Sequence, residues 1–313
     1  MSRTAYYWDE ASLRHDTGDF IEGIPRAEVL RPEALAGRVP GLDRRPARPH
    51  GAEEWVLRVH ERRHLERVRQ ACAQGPGLVD NPDTPVGGPG SFAAALAAVD
   101  AALSAADAVA AGEADNAFCA VRPPGHHALP DYSMGFCLFA TISIAARYLQ
   151  ERHGLRRLAI VDWDVHHGNG TQAVFWRDPD VFFASLHQYP FYPGTGAAHE
   201  RGEGPGEGTI LNIPLPAGTP EEVFLARFEA EVLPAVENHA PEAILISAGF
   251  DAHRSDPLGG LRMTEAGFAR MTRQIKALAA RRCAGRLVSL LEGGYNLGAL
   301  QASAAAHLQA LAE

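Results

Sequence analysis

Lysine is almost missing from this sequence: Lys276 stands alone among 29 basic residues, and no extended basic run occurs in the 313 residues. With a formal net charge of -9, the chain lacks the positive stripe that a phosphate backbone requires. That excludes a nucleic-acid-binding surface and mildly favours the approach of cationic molecules. Cysteine is scarce as well. Cys72, Cys119, Cys137 and Cys283 form no CxxC pair, and Cys119 and Cys137 sit in apolar runs, so neither a disulfide framework nor a zinc knuckle is expected. The first ten residues hold no apolar core and no small-residue cleavage site, so no secretory signal is expected and a cytoplasmic location is. The most apolar long stretch, 92–111, is interrupted by Asp100, Ser104 and Asp107 and is rich in alanine, so no membrane span is expected.

What the chain does contain is apolar residues, 46% of the total, enough at this length to bury a large core. Residues 1–90 are irregular and rich in proline and glycine, and are expected to contribute to the rim of a binding site. Within them 53–73 reads as a helix and 75–90 as a loop. Beyond residue 90, short β-type runs alternate with helical patterns, the signature of a parallel sheet covered by helices. Buried strands are expected at 117–121, 158–163, 181–186, 243–248 and 287–291. Helices are expected from Ser91, as a cap, to Gly112, as a stop, and near 138–153, 220–238, 264–283 and 298–312.

The segments that follow those strands hold most of the chain's His/Asp clusters: RPPGHH (122–127), DVHHGN (164–169), HQ (187–188), GFDAH (249–253) and EGGY (292–295). Ligands bind outside the carboxyl ends of parallel strands, so one shared site at that edge is the economical reading. Asp162, Asp164 and His166 alternate at period two and are expected to project to one side. With Asp251 from another strand end, Asp164 and His166 make an open N/O set that leaves a position for water, as a catalytic zinc needs. A lone DxH is more often a hydrogen-bonded turn. The pair His126 and His127, delivered by a rigid Pro-Pro-Gly turn, outweighs that bland reading, because positioned imidazoles suit general acid/base work. Behind the double glycine at 293–294, Tyr295 is placed where its hydroxyl could donate to a developing oxyanion.

Seven ordered motifs, RPPGHH (122–127), GFC (135–137), DWDVHHGNGT (162–171), SLH (185–187), FYPGTG (191–196), SAGFDAH (247–253) and LEGGY (291–295), resemble the histone deacetylases and their bacterial relatives. The DVHHGNGT form and the DTPVG loop at 83–87 look most like the class II branch, which includes bacterial deacetylase-like and acetylpolyamine amidohydrolases. The resemblance implies an α/β fold, a single arginase/deacetylase-type domain over 1–313 with a central parallel sheet of about eight strands. It implies one zinc held by Asp164, His166 and Asp251, and removal of an acetyl or other short acyl group from acetyl-lysine or from a small acetylated amine. It assigns His127 as principal base and acid, His126 as its electrostatic neighbour, Asp162 as support for His126, and Asn169 as support for His127. It places Gly135, Phe136, Tyr192 and Gly293 against the substrate, and a structural potassium or sodium at Asp162, Asp164, His166, Ser185 and Leu186. Phe20-Ile21-Glu22 departs from the His-Pro-Glu of many relatives, and Glu22, Asp83 and the glycine-rich segment 202–208 are candidates for the rim.

Two rivals are set aside on particular residues. An arginase-like ureohydrolase needs a second metal and a further aspartate where this chain has Gly249, and has no use for the His126–His127 pair. A catalytically dead acyl-lysine binding module would be favoured by loss of the tyrosine, and Tyr295 is present.

Overall fold

Ten strands run along the described residues: β1 (Thr4–Tyr7), β2 (Asp43–Arg45), β3 (Gly77–Leu78), β4 (Pro85–Val86), β5 (Asn116–Cys119), β6 (Leu158–Asp162), β7 (Val181–Gln188), β8 (Ile210–Leu215), β9 (Ala243–Ala248) and β10 (Leu287–Leu291). The computed structural model describes residues 2–313. Eight of the strands form one sheet in the order β2-β1-β5-β10-β9-β6-β7-β8, parallel throughout, and β3 and β4 make a small antiparallel hairpin. Helices cover both faces, so two separate apolar clusters pack on the sheet's two sides. This is why the central strands read as unbroken apolar runs.

All five expected strands are present, and three more join them. Two of the three, β2 and β8, escaped notice because each breaks a composition rule that holds only for central strands. β2 is Asp-Arg-Arg on one edge of the sheet, and β8, on the other, carries Pro214 and Asn212. Charge and proline are tolerated at edges, where one side of the ladder goes unpaired. β1 lies in the opening segment, which is less irregular than its composition suggests.

Other expectations need correction. Residues 53–73 form two helices, Ala52–Val56 and Arg62–Ala73, separated where Glu61 donates its backbone N–H to Pro130. The expected loop over 75–90 contains the β3–β4 hairpin. The long helix starts at Pro89, so Ser91 is inside its first turn; the Ser91 hydroxyl accepts from Gly87 N and meets His15. The expected helix 220–238 is divided by a π-helical turn at Phe228–Val232, where Pro234 lacks the N–H a regular turn would use. Thr264 does cap Glu265–Arg282, accepting from Gly267 N. Helix Pro89–Ala110 is long and apolar enough to cross a membrane, more so than expected, yet 67% of its most apolar window is buried inside the domain. Here it is a core helix.

Burial also fixes how this fold responds to acid. It holds His15 and His187 down to about 4 and His60, His167 and His307 down to about 3. These five stay neutral in the folded chain, while the same side chains unfolded take up protons below about 6.5. Their contribution to stability is therefore full above that value and falls as pH drops towards 4, by on the order of 2 kcal/mol per histidine at pH 5. Four buried groups oppose that trend by taking up protons in the folded chain: Glu292 and Asp251, each raised to about 7 by burial, and His126 and His166, which the carboxylates around them raise against the effect of burial.

Candidate active site

The five central strands deliver their following loops to one edge, and those loops carry the expected cluster. β6 ends at Asp162, so strand alternation does not itself align Asp164 and His166 as expected. Two consecutive side-chain turns do it instead: Asp162 Oδ1 accepts from Asp164 N at 3.1 Å, and Asp164 Oδ1 accepts from His166 N at 2.9 Å. Asp251, after β9, is anchored through Oδ1, which accepts from Val165 N at 2.7 Å. One ligand atom from each of Asp164, His166 and Asp251 lies within 4.8 Å of the others.

The donor set fits a divalent cation. Asp251 Oδ2 is buried with no hydrogen-bond partner, 3.2 Å from His166 Nδ1. Burial and the adjacent Asp164 push the Asp251 carboxyl up to about 7, which is the cost of gathering two carboxylates without a balancing charge. The space is kept by glycine: a Cβ on Gly293 would stand 1.9 Å from Asp251 Oδ2, and one on Gly249 2.2 Å from Asp164 Oδ2. Gly293 was expected against substrate, but it belongs here, its N–H donating to Asp164 Oδ2 at 2.8 Å. Asp162, at the end of β6, is the register partner of Ser185 within β7, next to Leu186, and all three are fully buried.

Beside the cluster, the two histidine rings have centroids 4.0 Å apart and stand in opposite electrostatic settings. His126 Nδ1 meets Asp162 Oδ2 at 2.9 Å; burial disfavours its cation, but Asp164, Asp162 and Glu292 outweigh that and raise its pKa well above the usual range. His127 is driven well below it by burial and by the charges of His126 and His166, and its Nδ1 meets Asn169 Oδ1 at 2.7 Å. A neutral and a charged imidazole thus lie side by side. Glu292 had no assigned role; its Oε2 accepts from Gly125 N and His126 N, and its Oε1 from Ser247 Oγ, tying the histidine loop to β9 and β10.

A cavity of about 250 Å³ leads from the surface to this cluster. Phe136, Tyr192, Phe191 and Leu258 wall it, and His127, His166 and Tyr295 lie at its floor. Phe191 stacks on the His166 ring at 5.3 Å. Gly135 also lines the cavity, with φ +57° and with His127 Cδ2 only 2.3 Å from where a Cβ would be. At the mouth, Asp83 accepts from Tyr192 Oη at 2.7 Å and from Gly135 N at 3.0 Å. Phe191 and Leu258 were not singled out in the sequence; the first sits in a quoted motif, while the second carries no local signal.

Two rim candidates are elsewhere. Glu22 is fully buried, its carboxylate held by Arg26 Nη1 at 2.7 Å and by Arg122 Nε at 2.5 Å and Nη2 at 2.8 Å. Residues 202–208 pack on Trp176 and Arg177, before β7 and so at the opposite end of the strand from the cavity. Arg26 continues from Glu22 to the tyrosine loop, donating to the Glu292 and Gly294 carbonyls, and its guanidinium lies 4.9 Å from the Tyr295 ring centre.

The family model described as "Histone deacetylase domain" matches residues 28–311, nearly the whole chain. The chain belongs to the histone deacetylase family. It is 41% identical to the histone deacetylase-like amidohydrolase of Pseudomonas aeruginosa over 313 residues, covering 94% of this chain and 82% of that protein. A probable deacetylase of Archaeoglobus fulgidus is 43% identical over 270 residues, covering 83% and 74%. Among solved structures, the HDA15 HD domain superposes with a TM-score of 0.92 at 37% identity, covering 99% of this chain and 88% of that one. This histone deacetylase domain is therefore a hydrolase of the deacetylase type, built as a single α/β domain around its parallel sheet.

Proposed function

We propose that the chain is a zinc-dependent amidohydrolase that removes an acetyl or other short acyl group from an amine nitrogen. The substrate is acetyl-lysine in peptides and proteins, or a small acetylated amine such as an acetylpolyamine. The observation that carries the reading is a cation-seeking Asp164–His166–Asp251 cluster at the end of a narrow apolar cavity, flanked by a neutral imidazole and a phenol. One zinc would be held by these three residues, and when bound it supplies Lewis acidity towards an acyl carbonyl and water. A potassium or sodium ion would sit at Asp162, Asp164, His166, Ser185 and Leu186.

The chain's own groups divide the proton work. His127, kept neutral, accepts the proton of the attacking water at Nε2, since its Nδ1 is engaged by Asn169. His126, held cationic by Asp162, faces the charge that builds beside it, and a protonated histidine returns the proton to the departing amine. Burial raises Tyr295 well above the phenol range, so it remains a donor to the acyl oxygen as negative charge develops there. Phe136 and Tyr192 would pack against an unbranched acyl-amine chain, with the Gly135 carbonyl available to its N–H. Four unpaired, buried cysteines are compatible with a reducing compartment and support a cytoplasmic location.

The test is acetate release from an acetyl-lysine peptide and from N-acetylputrescine, before and after metal chelation and zinc restoration. Turnover that disappears with chelator and returns with zinc is expected, and the ratio between the two compounds ranks the substrates. Turnover indifferent to chelation would sink the zinc assignment.

A further inference from the structure

His127 is oriented by an amide, and an amide has two unlike ends. Asn169 Oδ1 accepts from His127 Nδ1 at 2.7 Å. Turned over, the same side chain would present its NH₂ to Nδ1. The imidazole would then have to carry its proton on Nε2, the nitrogen that must stay free to take one. A carboxylate at this position would have no such wrong orientation.

Something must therefore hold the amide the right way round. The Asn169 Nδ2 group donates to Met134 Sδ at 3.3 Å, while its other neighbour, the His127 carbonyl, is at 3.5 Å, the limit of a hydrogen bond. A thioether accepts and never donates, so it favours the NH₂ end and rejects the carbonyl end. Met134 is itself fixed: its carbonyl accepts from Cys137 N at 3.0 Å, and the preceding Ser133 N donates to Asp80 Oδ2 at 2.8 Å. It does not line the catalytic cavity but stands in the wall of a neighbouring groove with Leu129 and Trp176.

We infer that Met134 is a positioning residue whose sulfur sets the Asn169 amide, and through it the proton-accepting tautomer of His127. The inference rests on the reading of His127 as the base.

Met134→Leu keeps volume and removes the acceptor. It is expected to lower kcat about 3- to 10-fold, the size of one modest hydrogen bond, with KM within about twofold. Asn169→Asp removes the orientation problem, so adding Met134→Leu to it should change kcat less than about twofold. A readout independent of turnover is the ¹⁵N spectrum of the full chain, with His127 assigned by its loss in His127→Ala. The wild type should show Nδ1 protonated and Nε2 bare, and Met134→Leu a mixture of both tautomers. An equal kcat loss in both backgrounds, or an unchanged tautomer in Met134→Leu, would reduce Met134 to packing and overturn the inference. Absence of turnover in the wild type would instead count against the deacetylase reading, with the tautomer still deciding the role of Met134.

Discussion

His127→Ala is expected to lower kcat about 10²- to 10⁴-fold while leaving metal content and thermal stability close to wild type. The side chain lies at the cavity floor, and no other neutral imidazole lines that cavity. Its neighbour cannot replace it. His126 is turned towards Asp162 and kept charged by three carboxylates, so it has no free lone pair to offer at neutral pH. Acetate release under saturating substrate measures the effect. Tyr295→Phe should cost about 10²- to 10³-fold by losing one preorganised donor, again with little change in KM. If His127→Ala retained near-normal turnover, the assignment of base and electrostatic partner would have to be exchanged or abandoned.

Glu22→Gln should have the largest effect on stability, a loss of about 3–5 kcal/mol in urea denaturation. One carboxylate balances two guanidinium groups, Arg26 and Arg122, and all three are essentially without solvent contact. A neutral amide in its place leaves two buried cations with half their partners. Burial would raise the Glu22 carboxyl, but Arg122 and Arg26 outweigh it and hold it down to about 2. Its contribution is therefore complete above the ordinary range near 4.5 and is lost only as pH falls towards 2. The same variant should lower turnover, because Arg26 also carries the Glu292 and Gly294 carbonyls and lies over Tyr295. A variant as stable as wild type would mean that this trio is solvated in solution.

The catalytic cluster was legible because its chemistry is concentrated in short segments. RPPGHH, DVHHGN, GFDAH and EGGY each follow a strand that declares itself by an apolar run, and parallel strands present their ends at one edge. The supporting shell was not legible in the same way. Glu22 sits in a loop with an ordinary composition, and nothing local distinguishes a carboxylate exposed at a rim from one buried between two arginines 4 and 100 residues away. Gly293 was placed against substrate because only the folded chain puts Asp251 beside it. Leu258 enters the cavity wall from a loop with no motif. The edge strands β2 and β8 hid behind charge and proline that a central strand would not accept.

The sequence by itself determined the alternation of strand and helix, the five central strands, the zinc-competent residues and the two histidines, since each is encoded by residue type and spacing within a few positions. Only the tertiary structure decided which histidine is neutral and which charged, which carboxylate faces the cavity and which is locked inside, and which sulfur meets the Asn169 amide. Those properties depend on burial and on charges brought together across 30 to 130 residues or more of chain, and electrostatic free energy inside a protein is set by distance in space rather than by distance along the sequence.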